Sequence, residues 1–198
     1  MAFIRTISLD EATGSLAQLY AAELQNGGMI DNSVQAFSLR PAVYTVWQQL
    51  RDTVQSNMDL RRYELVTLAA AVGLQCSYCT LAHGAILVSR FFSAKQVEAM
   101  TRDYRTAGLE PAEVAMMAYA EKIVRHAYKV TPEDIDNLRA HGFSDTDILD
   151  IALTAAARSF LSKVTDAVGA EPDDWFMDLE PELRQTLAVG RPFGESSP

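Results

Sequence analysis

Apolar residues recur along the chain at the three- and four-residue spacing of amphipathic helices. No alternating run of β-branched residues between turn signals predicts a strand, so the pattern indicates an all-α protein. The first predicted helix runs from about Asp10 to Leu24, and Gly27 and Gly28 stop it. Its apolar stripe consists of Leu16, Leu19, Tyr20 and Leu24.

The next three predicted helices cover the middle of the chain. Ser33 caps a short turn, and Pro41 then opens a helix that reaches about Asn57. A helix from Asp59 ends near Gly73, and another runs from near residue 76 to 89. The expected apolar stripes are Val43, Val46, Trp47 and Leu50 on the first of these helices, and Leu65, Leu68, Ala69 and Val72 on the second.

Start and stop signals predict four further helices. Ser93 with Gln96 forms a capping box for a helix ending at Gly108, and Pro111 opens the next helix. A third begins at residues 131–134 and ends at 142, and a fourth covers about 145–168. We expect the acidic residues 171–174 to be solvated and the tail from Gly190 to be loose.

Short connections predict a single domain with four parts. These parts are an N-terminal helical extension at about 1–57, a core with the cysteine motif at about 58–108, a second helical half at about 109–170, and a tail at 171–198. Aligning Glu64 with Asp147 also brings the apolar positions of two helical segments into register, which predicts an internal repeat. In the second copy, the positions of the motif residues hold Ser159, Ser162 and Asp166.

Composition and charge exclude several classes of function. Hydrophobic residues make up 48% of the 198 residues, which argues against disorder, and the longest nearly uncharged apolar run, 65–74, is about half a membrane span. With 26 acidic and 17 basic residues, the net charge of -9 repels nucleic acid and anionic lipid. Residues 1–10 have no apolar signal segment, so we expect a cytoplasmic protein.

The chain's two cysteines lie together in a motif that also contains a histidine. Cys76 and Cys79 are three positions apart, and His83 follows Cys79 by four, so a helix places all three on one face. A helix start and a neighbouring imidazolium both stabilise a thiolate, which is the reactive form of cysteine. The spacing therefore favours redox chemistry.

Glu64 is the candidate acidic partner of this motif. On one continuous helix it would lie about 18 Å from Cys76, so any contact requires the chain to reverse. Gly73 offers a break at which the two helices can fold back. Glu64 would then reach His83, or a water beside it, and hold the imidazole in a useful tautomer.

Other interpretations of these residues stay open. The cysteines can be small buried core residues, and Glu64 can simply favour the start of its helix. A zinc ion could take Cys76, Cys79, His83 and Glu64 as ligands, although structural zinc sites usually join two separate sequence elements. We expect no metal and no organic cofactor.

The order Glu64, Cys76-x-x-Cys79, His83 in an all-helical chain resembles the alkylhydroperoxidase-D-like (AhpD-like) branch of the carboxymuconolactone decarboxylase family. The resemblance is tightest over residues 60–87, and segments near 31–44 and 142–153 are similar to longer, peroxidase-related members. It implies an AhpD-like helical bundle that assembles into trimers or hexamers.

The resemblance also implies a mechanism. In the family's peroxidases the second motif cysteine is oxidised by peroxide and the first resolves it, which makes Cys79 peroxidatic and Cys76 resolving, with Glu64 and His83 relaying protons. The implied partners are a small hydroperoxide and a dithiol reductant, such as a lipoyl-bearing or thioredoxin-like protein. The peroxidase that defines the branch has His where this chain has Tyr78, a phenol with a pKa near about 10.

Three other functions compete with the peroxidase. A dithiol-disulfide oxidoreductase would use the same cysteines without peroxide. An enzyme of the decarboxylase type is less expected, because that side of the family generally works without the cysteine pair. A non-catalytic oligomeric module would keep the fold and leave the thiols idle.

Overall fold

A computed structural model describes residues 2–192, and this part of the chain contains ten α-helices, three short 3-10 helices and no strand. The all-α prediction is therefore confirmed. The 3-10 helices lie at 104–106, 127–129 and 174–178. The α-helices are α1 (Gly14–Gly27), α2 (Asn32–Gln35), α3 (Pro41–Gln55), α4 (Leu60–Gly73), α5 (Ser77–Arg90), α6 (Ala94–Asp103), α7 (Pro111–His126), α8 (Pro132–Ala140), α9 (Asp145–Val168) and α10 (Pro181–Leu187).

Several helix starts coincide with the predicted caps, whereas α1 begins at Gly14 and not near Asp10, and α6 ends at Asp103 and not at Gly108. Asp59 accepts a hydrogen bond from the backbone of Arg62 at the start of α4, and Ser93 and Ser144 form complete capping boxes. These side chains satisfy N–H groups that have no partner within their helix. Local sequence therefore sets the starts of α4, α6 and α9.

The centre of the bundle is α4, which packs against α5, α7 and α9. Its side chains are buried on almost every face, including Leu65, Leu68 and the alanines at 69–71. Small side chains let the neighbouring helices approach α4 closely. The packing places α5 and α9 beside the same central helix, so that both can contribute to one site.

The predicted apolar stripe of α3 does not face the core. Of its four residues only Trp47 is buried, whereas Val46 is 64% exposed and Val43 and Leu50 are also exposed. The core side of α3 is formed instead by Tyr44, Trp47 and Val54. The prediction from periodicity was wrong about which face is covered, because α9 packs along the aromatic side of α3.

Two predictions about the C-terminal region were also wrong. Asp173 is buried rather than solvated, because it pairs with a tyrosine of the core. The region also contains α10, and Gly190 and Arg191 hydrogen-bond to the side chain of Ser77 instead of hanging loose. Residues 193–198 of the predicted tail lie outside the described residues.

The two segments aligned as an internal repeat differ in form. The first is divided into α4 and α5, whereas the second is the single uninterrupted helix α9. Ser162, the counterpart of Cys79 in that alignment, nevertheless contacts Cys79 directly. The repeat itself stays a prediction.

Candidate active site

A tight turn between α4 and α5 creates the reversal that the site requires. Gln75 adopts a left-handed backbone with φ of 56°, and Cys76 N–H reaches back to the carbonyl of Ala71 at 3.1 Å. Gln75 N–H also donates to the carbonyl of Val72 at 3.0 Å, which completes the pattern of a Schellman cap. Cys76 is thus the N-cap of α5, as the sequence predicted for a helix start near this residue.

Gly73 is needed for packing and not for the turn. It is the last residue of α4 and its φ is not in the left-handed region, which corrects the expectation that the chain breaks there. A Cβ atom at Gly73 would lie 2.8 Å from the side chain of Val124 on α7. The glycine therefore permits the close approach of α4 and α7.

The reversal brings Glu64 to His83, the contact expected from the sequence. The Oε2 atom of Glu64 lies 2.6 Å from Nδ1 of His83, and both side chains are buried. A carboxylate that accepts a hydrogen bond from Nδ1–H leaves Nε2 with a lone pair for a proton. His83 lies one helical turn after Cys79 on α5, so the pair forms one side of the cysteine site.

Cys79 is surrounded by groups that stabilise a negative sulfur. The hydroxyl of Ser162 donates to its Sγ at 3.2 Å, and Nη1 of Arg158 lies 3.7 Å from the same atom. Hydrogen bonding from the Cys76 thiol, the charge of Arg158 and the Ser162 hydroxyl together lower the pKa of Cys79 to about 5, against the opposing effect of burial. The sulfur is a thiolate at neutral pH.

Cys76 has the opposite character. Hydrogen bonding to Cys79 and burial raise the pKa of its thiol far above the ordinary range. Its Sγ also lies 3.8 Å from the carbonyl oxygen of Ser162 and 3.9 Å from Oγ1 of Thr165. Both cysteines are free and almost fully buried. The motif therefore holds one thiolate and one thiol that keeps its proton.

Sequence reasoning missed Arg158 and Ser162, which α9 contributes. Arg158 is buried, and the centre of its guanidinium lies 6.0 Å from the ring centroid of Trp47. The repeat alignment placed Ser162 opposite Cys79 but gave it no role. The signal available for Arg158 was a lone arginine within the apolar run from Ala152 to Leu161 of a predicted helix.

Tyr78 takes no part in the contact between Glu64 and His83. Its hydroxyl donates to Oδ2 of Asp173 and accepts from the backbone N–H of Ser33 at 3.2 Å. The backbone N–H of Asn32 donates to the other oxygen of Asp173 at 2.6 Å. Tyr78 therefore fastens α2 and the segment after α9 to α5.

A C-terminal segment covers the start of α5. The Ser77 hydroxyl donates to the carbonyl of Arg191 at 2.8 Å and accepts from the N–H of Gly190 at 2.9 Å. Thr80 donates to the carbonyl of Leu187. We call residues 187–191 the C-terminal strap; it lies across the residues that flank both cysteines.

The described residues do not form the alternative zinc site. Between residues 2 and 192, no three His, Cys, Asp or Glu side chains are arranged to hold a metal ion. The set of Cys76, Cys79, His83 and Glu64 is thus not assembled around a common centre.

Within residues 2–192, no helix is both long enough and apolar enough to cross a membrane.

Residues 41–122 match the sequence model of the carboxymuconolactone decarboxylase family. This stretch includes Glu64, both cysteines and His83, whereas Arg158 and Ser162 lie beyond it. Over these 82 residues the chain is similar to that family. No curated protein matches the sequence.

Solved structures share the AhpD-like fold over most of this chain. The alkylhydroperoxidase AhpD core of a peroxidase-related protein from Ralstonia eutropha JMP134 has a TM-score of 0.81 at 23% identity, covering 96% of this chain and 98% of that one. A peroxidase-related protein from Silicibacter sp. has a TM-score of 0.73 at 22% identity, covering 81% and 85%. The debrominase Bmp8 has a TM-score of 0.71 at 18% identity, covering 92% and 94%, and a cysteine variant of it is in complex with 2,3,4-tribromopyrrole.

Proposed function

We propose that this AhpD-like protein reduces organic hydroperoxides with its two cysteines, Cys79 attacking the peroxide and Cys76 resolving the product. The observation that carries the proposal is the unequal pair of sulfurs. Cys79 has a lowered pKa and is paired with Arg158 and Ser162, while Cys76 keeps its proton beside it. A peroxidatic thiolate next to a resolving thiol needs this asymmetry.

The proposed cycle has three balanced steps. The Cys79 thiolate attacks one peroxide oxygen, the O–O bond breaks, and the departing alkoxide takes a proton to become the alcohol, leaving a sulfenic acid on Cys79. The Cys76 thiol then displaces water from that sulfenic acid and forms a disulfide. An external dithiol reduces the disulfide and is itself oxidised.

Glu64 and His83 serve the proton transfers of this cycle. His83 lies one turn from Cys79, and its Nδ1 is held by Glu64 at 2.6 Å, which fixes the ring orientation. The free Nε2 can take a proton from solvent and pass it to the departing alkoxide. In the next step Nε2 can accept the proton of Cys76 and pass it to the hydroxide that leaves the sulfenic acid as water. The low pKa of Cys79 means that the base is not required for the first attack.

Mass spectrometry after alkylation tests the proposal by counting free thiols before and after one equivalent of cumene hydroperoxide. Wild type should lose both thiols, Cys76→Ser should trap a sulfenic acid on Cys79, and Cys79→Ser should keep its remaining thiol. The Cys79→Ser variant is the matched control, because it differs from Cys76→Ser only in which sulfur remains.

Other results would overturn the proposal or its assignment of roles. If peroxide leaves both wild-type thiols free, the peroxidase is wrong, and oxidation by a dithiol-exchange reagent would favour the dithiol-disulfide oxidoreductase instead. The same measurement with 2,3,4-tribromopyrrole, the ligand of the Bmp8 variant, tests debromination by this chain. In that reaction the aryl bromide and the thiols of Cys76 and Cys79 would give the arene, a disulfide and hydrogen bromide. A sulfenic acid trapped on Cys76 would reverse the roles.

The partners and the location are part of the proposal. A lipoyl-bearing or thioredoxin-like protein in the cytoplasm would supply the external dithiol, since such donors carry two thiols that can reduce a protein disulfide. Trimeric or hexameric assembly is proposed from the family resemblance. Light scattering of the purified protein tests the assembly.

A further inference from the structure

An open apolar groove runs between α3 and α9 on the side of the bundle nearest to Arg158. Its volume is about 670 Å³, within the range of small-molecule sites, and almost all of its surface is apolar. One wall is formed by Val43, Val46 and Leu50 of α3, the exposed residues that periodicity had assigned to the core. The other wall is formed by α9. The lining residues include Val43, Val46, Trp47 and Leu50 of α3, and Leu153 and Phe160 of α9.

A layer of two side chains separates this groove from the reactive sulfur. Trp47 lies on the groove and is itself mostly buried, and the guanidinium of Arg158 is 6.0 Å from its ring. The same guanidinium lies 3.7 Å from the sulfur of Cys79. Trp47 and then Arg158 therefore connect the groove to the sulfur by a chain of contacts.

This layer contains polar groups that have no partner. Nε1 of Trp47 and Nε of Arg158 are both buried, and neither has a hydrogen-bond partner among the described residues. A buried N–H without an acceptor costs about 1–3 kcal/mol, and a ligand oxygen that enters the layer recovers it. Two unsatisfied donors between an apolar groove and a thiolate suit a ligand with an apolar body and an oxygen-bearing end.

We propose that the groove between α3 and α9 binds the apolar substituent of an organic hydroperoxide, whose peroxide oxygens are received by Trp47 and Arg158 on the way to Cys79. This inference rests on the proposed peroxidase function and adds the place in the fold that receives the substituent of the hydroperoxide. Hydroperoxides with a bulky aromatic or aliphatic group are the preferred substrates, and hydrogen peroxide, which has nothing to place in the groove, is a poor one.

Steady-state kinetics with cumene hydroperoxide and hydrogen peroxide test this assignment. The double variant Val46→Gln with Leu50→Gln makes the groove polar at two exposed positions. The apolar substituent of cumene hydroperoxide would no longer be buried against apolar side chains at positions 46 and 50. The KM for cumene hydroperoxide, divided by the KM for hydrogen peroxide, should therefore rise by about five- to tenfold. Met177→Gln, which changes an exposed apolar residue outside the groove, should leave that ratio unchanged.

Binding of the product alcohol separates this inference from the proposed function. Cumyl alcohol cannot oxidise a thiol, and in a Trp175→Phe background Trp47 is the one remaining tryptophan, so its fluorescence reports binding at the groove. The signal should saturate, and the double variant should weaken binding by a similar five- to tenfold. Saturable binding of cumyl alcohol by a protein without peroxidase activity would support the groove as a binding site and refute the proposed peroxidase function.

Two outcomes would overturn the groove assignment. One is an unchanged KM ratio together with no saturable binding of cumyl alcohol. The other is a change of molar mass by light scattering in the double variant with an unchanged KM ratio, which would show that a second copy of the chain covers the groove.

Discussion

Arg158 places a full positive charge beside a sulfur that burial alone would keep protonated. Replacing it with methionine, which is similar in length and uncharged, should raise the pKa of Cys79, whereas Arg158→Lys should keep much of the lowering. Each unit of increase leaves about tenfold less thiolate at a pH below the new pKa. The ultraviolet absorbance of the thiolate, followed against pH and corrected with Cys79→Ser, measures the change.

The sign of the pH dependence follows from the direction of the shift. In wild type, the thiolate signal should appear as pH rises through about 5 and be level at neutral pH. In Arg158→Met the rise should move to higher pH. A folded Arg158→Met protein, checked by circular dichroism, that titrates as wild type does would show that the Cys76 thiol and Ser162 suffice to hold the thiolate.

Glu64 contacts His83, and we expect it to influence the reaction at Cys79 through this histidine. Glu64→Gln keeps the shape and one hydrogen-bond acceptor but removes the charge that orients the imidazole for proton transfer. Oxidation by cumene hydroperoxide should slow by about 100-fold, the low end of what a positioned acid or base contributes. The thiolate titration of Cys79 should change little, which a general loss of structure would not allow.

A buried glutamate outside the site provides the control for this variant. Glu98 is buried on α6 and pairs with Arg102 at 3.5 Å, away from both cysteines. Glu98→Gln should leave the oxidation rate within about twofold of wild type. Equal slowing in both variants would mean that Glu64 matters for stability and not for the reaction.

At the scale of elements, we expect the strap to limit access to Cys76, because it hydrogen-bonds to Ser77 and Thr80 beside it. A Cβ atom at Gly190 would lie 1.8 Å from the carbonyl oxygen of Gln75, a distance that no small adjustment relieves. Gly190→Ala should therefore lift residues 187–191 off the start of α5 and release the contacts of Ser77 with Gly190 and Arg191. Alkylation of Cys76 by iodoacetamide at one fixed alkaline pH should become several-fold faster.

Gly27→Ala is the matched control for the strap. A Cβ atom at Gly27 meets nothing within 4 Å, and the residue is the last of α1. Its alkylation rate should equal that of wild type. If Gly190→Ala also leaves the rate unchanged, the thiol is reached by a route that the strap does not cover.

The elements also show how far sequence reasoning reaches. Caps and prolines are local signals, so the starts of α3, α4 and α6 to α9 could be read from short stretches. The spacing of Cys76, Cys79 and His83 fixed one helix face in the same way. Arg158 and Ser162 could not be placed, because their contact with Cys79 depends on how α9 packs beside α5.

Burial against solvation was the other point that local pattern could not decide. A run of acidic residues is typical of a surface, yet Asp173 is buried, because Tyr78 and the backbone of Asn32 supply its hydrogen bonds. Apolar spacing identifies an apolar face of a helix but not the neighbouring element that covers it. The exposed apolar face of α3 was therefore predicted to lie in the core. Both errors concern contacts between residues far apart in the sequence.

At the scale of the whole molecule, Asp173 joins three distant parts of the chain and couples their packing to pH. It links the start of α2, the start of α5 and the segment after α9 through Asn32 and Tyr78. Burial raises the pKa of Asp173 from 3.8 to about 6, with smaller contributions from the charges of Asp31 and Asp174 and an opposing effect of its hydrogen bonds. In the folded protein Asp173 therefore keeps its proton up to about pH 6.

The stability consequence follows from proton linkage. Between about pH 4 and 6 the folded protein holds a proton on Asp173 that the unfolded chain has released, so this residue's contribution to stability falls as pH rises through that window. Asp173→Asn removes the titration while keeping an acceptor for the N–H of Asn32. The free energy of unfolding of the variant, relative to wild type, should therefore rise by on the order of 2 kcal/mol between pH 4 and 7.

Urea unfolding of wild type, Asp173→Asn and Asp174→Asn at several pH values measures this slope. Asp174 is exposed, so its variant isolates the effect of burial from that of removing one negative charge in the same segment. We expect Asp174→Asn to follow the wild-type curve within about 0.5 kcal/mol at every pH. Parallel curves for wild type and Asp173→Asn would show that Asp173 has the same pKa in the folded and unfolded chains. The contact between Asp173 and Tyr78 would then hold the three segments together with Asp173 ionised.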